Sequence, residues 1–206
     1  METLAIIAGY LIGSIPFAYI IGRMVKGVDI RREGGGNVGA LNTMREIGTA
    51  AGLGVLVADI AKGAAAVFVA RWLGVPLIFV FIAGFASVIG HNWPVFLKFK
   101  GGVGAATTLG VLLALVPAQF AISFAIMVIV ILITSNFRLG MAIGLALLPL
   151  IIWGFSGEGR IIAYSLALPI FSGLRAIPAI KRDLASAGSK QDFVIDSKYK
   201  PWQRRK

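Results

Sequence analysis

Apolar and polar residues follow one another along this chain in long blocks rather than at single alternating positions. Seven apolar segments run roughly over residues 3–22, 48–70, 75–93, 103–117, 118–135, 139–155 and 160–177. A helix needs an apolar block of ~20 residues to cross the hydrocarbon layer of a membrane. It also satisfies its own backbone hydrogen bonds, which lipid cannot do. The pattern therefore predicts an all-α, polytopic membrane helix bundle of about seven transmembrane helices. The fourth segment is short, and it meets the fifth at Pro117 with almost no loop between them. The N-terminus carries Glu2 and no basic stretch ahead of the first segment, so that segment reads as a permanent span rather than a cleavable signal.

Composition agrees with this division. Of 206 residues, 58% are hydrophobic and 14% charged, more apolar surface than a soluble domain of this size hides in its interior. The 26 glycines suit helices that approach closely in lipid, and loops that bend sharply. The absence of cysteine excludes disulfides, thiolate nucleophiles and cysteine-based metal sites. With His91 as the single histidine, a multi-histidine metal centre is excluded as well.

The net charge of +11 gains meaning from its placement. Seventeen Lys and Arg residues fall in the 23–47 loop, the 90–102 loop, the turn at Arg138 and the stretch from Arg175 onward, whereas Arg71 and Arg160 lie on the other side. Basic residues accumulate on the cytoplasmic face, so the N-terminus is placed outside and the C-terminus in the cytoplasm. Residues 1–180 then form a single transmembrane helical domain. Residues 181–206 form a basic cytoplasmic tail drawn to anionic headgroups. Membrane lipids are the expected partner of this charge, and nucleic acid is not.

Three polar segments carry the chemistry. In the first, Arg32-Glu33-Gly34-Gly35-Gly36-Asn37-Val38-Gly39-Ala40-Leu41-Asn42, clustered glycines free the backbone to form a concave nest of N–H groups for phosphate oxygens. Asn37 and Asn42 add uncharged donors. The second is Asp59-Ile60-Ala61-Lys62-Gly63, inside an apolar segment. Asp59 and Lys62 share a helix face, and charges at this depth mark a functional site, a wet cavity or an ion pair that fixes packing. The third runs from Gly90-His91-Asn92-Trp93-Pro94 through Lys98, Lys100, Gly101, Gly102 and Gly104 to Thr107. His91 is suited to proton transfer near neutrality, and the lysines and glycines open a helix N-terminus, where a phosphate is stabilised. Acyltransferases that act through His-x4-Asp are excluded, because Phe96 stands where the aspartate is required.

These segments, in this order and spacing, resemble the acylphosphate:glycerol-3-phosphate acyltransferases (PlsY type) of bacterial membranes. Gly13-Ser14-Ile15-Pro16-Phe17-Ala18-Tyr19 also looks like that family's first helix, and the likeness extends over about residues 10 to 140. It implies a helix bundle in the bacterial inner (plasma) membrane that needs no cofactor or metal. The substrates it implies are acyl phosphate and glycerol 3-phosphate, joined to give lysophosphatidic acid. Carried onto this sequence, it makes His91 and Asn37 catalytic. It makes Gly34, Gly35, Gly36, Asn42, Arg45, Asp59, Lys62, Lys98, Lys100, Gly101, Gly102, Gly104 and Thr107 phosphate- or substrate-binding. Gly35 and Val103 stand where the family usually carries a serine and a lysine. The residues alone also fit two other classes. One is an anion-binding or transport protein built on intramembrane charges and glycine-broken helices. The other is a divergent, regulatory relative of lipid enzymes.

Overall fold

The structure, a computed structural model, describes residues 1–186. All seven apolar segments form helices, but they are not equivalent. Among the described residues, six regions are long and apolar enough to cross a membrane: Glu2–Lys26, Thr49–Trp72, Leu77–Leu97, Pro117–Thr134, Phe137–Phe155 and Gly159–Lys181.

The first of these regions is broken in the middle. Helix α1 (Glu2–Ser14) stops at Ile15 and α2 (Phe17–Lys26) starts after Pro16. Proline has no N–H to donate, and its ring collides with the carbonyl four residues earlier. The chain restarts as a helix because Ile20 N–H can donate to Pro16 O at 3.0 Å.

The loop expected before the second span contains a 3₁₀ turn (Ile30–Arg32) and a short helix, α3 (Ala40–Glu46). Helix α4 (Thr49–Trp72) and helix α5 (Leu77–Asn92) follow. The fourth apolar segment becomes α6 (Ala105–Leu115). At ~1.5 Å per residue its eleven residues reach only about 16 Å, half of a ~30 Å hydrocarbon layer. Its contacts explain its shortness. Gly63 of α4 lies against the Thr107 carbonyl near the start of α6, and Arg71, near the end of α4, donates to Ala114 O at 3.0 Å. Helix α6 therefore runs beside only the second half of α4, and its N-terminus opens in the interior beside Gly63.

Helices α7 (Pro117–Thr134), α8 (Phe137–Phe155) and α9 (Gly159–Ser186) complete the described chain. Helix α9 continues six residues past position 180, where the tail was expected to begin; residues 187–206 of that expected tail lie outside the described residues.

The described chain divides into two compact units, residues 1–117 with 168–176, and residues 118–167 with those from 177 to 186. In the second unit, Ser123 donates to Gly144 O at 2.7 Å, and Gly144 packs against Met127. The Asn136 side chain caps α8 by accepting from Leu139 N–H at 3.0 Å. The three polar segments all belong to the first unit.

Candidate active site

In the first unit α1 and α5 lie backbone to backbone. Gly9 faces the Ala83 backbone, Gly13 the Ser87 backbone, and Gly90 the Tyr10 carbonyl and Ser14. Small residues one turn apart allow this approach, which lipid-embedded helices use in place of a hydrophobic driving force. The approach sets the end of α5, and with it His91, beside the break in α1.

The break leaves a cleft lined by Gly13, Ser14, Ile15, Pro16 and Phe17, by Val38 from the first loop, by Asp59 and Lys62, and by His91 and Pro94. Asp59 is 1% exposed, Lys62 4% and His91 6%. Lys62 Nζ lies 2.8 Å from Asp59 Oδ1 and donates to the Ile15 carbonyl oxygen at 2.8 Å. It also stands 5.7 Å from the centre of the Phe17 ring. His91 Nδ1 lies 3.6 Å from Asp59 Oδ1. The two charges share a face of α4, as their spacing requires, and the charge of each offsets the desolvation of the other.

The glycines of the third loop have two different uses. Gly102 N–H donates to His91 O at 3.1 Å, folding the loop back onto the end of α5. A Cβ on Gly102 would run into His91 Nε2 and the Val38 carbonyl, and one on Gly101 into the carbonyls of His91 and Asn92. These two residues are glycine because the backbone lies where a side chain would go. Gly104, at φ +87°, is glycine for its conformation as well, and it N-caps α6. Lys98 and Lys100 are exposed, and Lys98 and Phe99 both adopt the left-handed region, with φ of 54° and 61°.

The first loop is organised by Asn42. Its side-chain oxygen accepts from Gly35 N–H at 3.2 Å, and its side-chain nitrogen donates to Glu33 O at 3.1 Å and Ile30 O at 3.4 Å. Gly34 and Gly36 turn through positive φ, at 52° and 69°, while Gly35 faces open space. Asn37 is half-buried with its amide against Gly39, and Arg45 is half-buried on α3. Val38 joins the loops, since its carbonyl borders Gly102. The first loop is braced from outside the spans. Asp29 and Arg31 form a bidentate pair with a shortest contact of 2.7 Å, which lowers the Asp29 carboxyl to about 2. Arg31 and Arg23 both stack on Tyr19.

The sequence pattern did not single out Asn92. It is fully buried, and neither polar atom of its amide has a hydrogen-bond partner among the described residues. The Thr107 hydroxyl is buried and unpartnered in the same way, one turn into α6. The only sequence signal for Asn92 was a polar residue on an otherwise apolar helix next to the histidine. The structure thus brings Asp59, Lys62 and His91 into one cluster between the two glycine loops. Lys98 and Lys100 stand outside it, on the exposed turn before Gly101.

A sequence profile described as glycerol-3-phosphate acyltransferase matches residues 3–186. The chain belongs to the glycerol-3-phosphate acyltransferase family. One relative in this family, glycerol-3-phosphate acyltransferase 2 of Moorella thermoacetica, is 41% identical over 190 residues, covering 92% of this chain and 97% of its own length. Another, glycerol-3-phosphate acyltransferase 1 of Dehalococcoides mccartyi, is 38% identical over 207 residues, covering 98% of each chain. Among solved structures, PlsY (YgiH), an integral membrane glycerol 3-phosphate acyltransferase, superposes in its glycerol 3-phosphate form with a TM-score of 0.80 at 32% identity. The match covers 90% of this chain and 92% of that one. Its lysophosphatidic acid form superposes with a TM-score of 0.78 at 31% identity. This chain is a multi-pass membrane protein with the fold of that family.

Proposed function

We propose that this protein transfers a fatty acyl group from acyl phosphate to the 1-hydroxyl of glycerol 3-phosphate, giving lysophosphatidic acid at the inner membrane of a bacterium. The observation that carries this reading is the cleft at the α1–α2 break, where His91 is held between Asp59 and the glycine loop that follows it. The family's solved structures in glycerol 3-phosphate and lysophosphatidic acid forms support the same reading.

Acyl phosphate is a mixed anhydride, so the donor is already activated and no protein nucleophile is required. The acceptor hydroxyl oxygen attacks the acyl carbonyl carbon, the bond from that carbon to the phosphate oxygen breaks, and inorganic phosphate leaves. In this reading His91 Nε2 takes the hydroxyl proton and passes it to the departing phosphate. Asn37 orients the acceptor. The backbone of Gly34–Gly36 and of Gly101, Gly102 and Gly104 supplies N–H donors to phosphate and to the developing oxyanion. Arg45, Lys98 and Lys100 supply positive charge, and Thr107 and Asn42 shape the two loops. The cleft faces the cytoplasm, following the basic loops that border it, with the N-terminus outside. The acyl chain lies among the apolar helices, and the product leaves into lipid.

The test is acyl transfer in bicelles, with acyl phosphate as donor and glycerol 3-phosphate as acceptor, comparing wild type with His91→Ala. Turnover to lysophosphatidic acid that falls about 10²- to 10⁴-fold in the variant supports the assignment. A correctly folded wild type without turnover overturns it and leaves the non-catalytic, anion-binding reading.

A further inference from the structure

The proposed function rests on a cleft that exists only because a helix is broken, which raises the question of what holds the break in one geometry. At Pro16 the chain leaves the hydrogen-bond ladder of α1, and the Ile15 carbonyl turns towards the cleft. Phe17 N–H donates to it at 3.2 Å, a tight three-residue turn. The other donor is Lys62, 47 residues further along the chain.

A lysine ammonium has three protons and no acceptor capacity. On Lys62, one proton meets the Ile15 carbonyl, the ammonium forms an ion pair with Asp59 Oδ1 at 2.8 Å, and the Phe17 ring stands nearby. At 4% exposure the ammonium has protein groups on every side that the contacts define. Two of its contacts are therefore made within the protein before any substrate arrives. A phosphate oxygen that displaced the carbonyl or the carboxylate would leave one of them buried and unpaired, which is strongly unfavourable. Asp59 Oδ1 stands between the two partners, 2.8 Å from Lys62 Nζ and 3.6 Å from Nδ1 of His91.

We infer that the Asp59–Lys62 pair is a positioning clasp rather than a substrate contact: Lys62 fixes the α1–α2 break through the Ile15 carbonyl, and Asp59 fixes the ring of His91. One face of α4 thereby sets both walls of the cleft, the α1 break on one side and the imidazole on the other. The inference deepens the acyl-transfer reading and rests on it for its kinetic arm, but not for its structural arm.

Hydrogen exchange and steady-state kinetics test it together, on the full-length protein in bicelles. The clasp predicts that Lys62→Met speeds backbone exchange in the peptide spanning residues 13–19 by about tenfold or more, with residues 80–88 of α5 unchanged. It also predicts that kcat falls about tenfold or more while KM for glycerol 3-phosphate stays within about threefold. Asp59→Asn should shift the imidazole ¹⁵N signals of His91, which are unambiguous because no other histidine exists in the chain. If Lys62→Met proves unfoldable, the double variant Asp59→Asn/Lys62→Met removes both charges and is measured in its place. A rise in KM for glycerol 3-phosphate of about tenfold at unchanged kcat, with exchange at residues 13–19 unaltered, makes Lys62 a substrate contact and overturns the clasp. Should wild type show no turnover, the acyl-transfer reading falls, and the exchange and ¹⁵N measurements alone decide the clasp.

Discussion

Gly102 donates its backbone N–H to the carbonyl of His91 at 3.1 Å, and the space a methyl group would need on its Cα is taken by Nε2 of the same histidine. The loop and the imidazole are thus held in one mutual position by a hydrogen bond and by steric exclusion. Gly102→Ala therefore forces the ring or the loop to move by a few tenths of an ångström or more. The other close neighbour is the Val38 backbone, which cannot swing aside. Turnover is expected to fall about 10²-fold, the scale of a small misplacement in a reacting site. Acyl-transfer kinetics on folded variant protein check this, and a Gly102→Ala enzyme with wild-type kcat would show that the ring position is not critical.

Gly63 and Gly110 form the crossing of α4 and α6, each lying against backbone of the other helix. A leucine at position 63 has no flexible neighbour to displace. Gly63→Leu is expected to destabilise the fold by about 1–3 kcal/mol through overpacking. The thermal unfolding midpoint in detergent measures it, with Gly173→Leu as the control, since nothing lies within 4 Å of a Cβ there.

Asn42 makes three hydrogen bonds to the backbone of the first loop. Asn42→Ala leaves those groups without partners, a loss of about 1–3 kcal/mol for the groups that remain buried. The loop then samples other conformations, and KM for glycerol 3-phosphate should rise more than kcat falls. An unchanged KM would separate this loop from acceptor binding.

Gly35 is the opposite case. Nothing lies within 4 Å of a Cβ built there, and its φ is not in the left-handed region. Gly35→Ser, which installs the hydroxyl usual in the family, should leave stability within about 0.5 kcal/mol of wild type. It should also leave turnover intact or raise it. A marked loss of activity would mean that this site has adapted to the missing hydroxyl.

The brace between Asp29 and Arg31 predicts a pH dependence. Hydrogen bonds from Arg31 lower the Asp29 carboxyl from 3.8 to about 2 in the folded protein. A carboxyl lowered on folding stabilises the protein fully above its unfolded value and loses that contribution as pH falls through its folded value. The stability difference between wild type and Asp29→Asn should therefore be constant above about pH 5 and shrink between about pH 4 and pH 2. Unfolding midpoints of the two proteins across that range measure it.

What the sequence by itself determined was the membrane architecture. Hydropathy is a sum over neighbouring residues, so a block of ~20 apolar residues becomes a span whatever surrounds it. The segment at 103–117 is already short for a span in the sequence, whereas the break at Pro16, inside the first apolar segment, is seen only in the structure. The spacing of Asp59 and Lys62 placed them on one helix face. Tertiary structure decided what those groups touch. Lys62 reads equally well as a phosphate ligand or as half of an ion pair until the Ile15 carbonyl, 47 residues away, is seen within 2.8 Å of its Nζ. A run of glycines says only that the backbone is free. The fold separates Gly34, Gly36 and Gly104, which need positive φ, from Gly101 and Gly102, which need the room, and from Gly35, which needs neither. The physical reason is range. Helix formation and membrane insertion are settled by residues close in sequence, whereas the partner of a buried charge is settled by which distant backbone the packing of small residues brings against it.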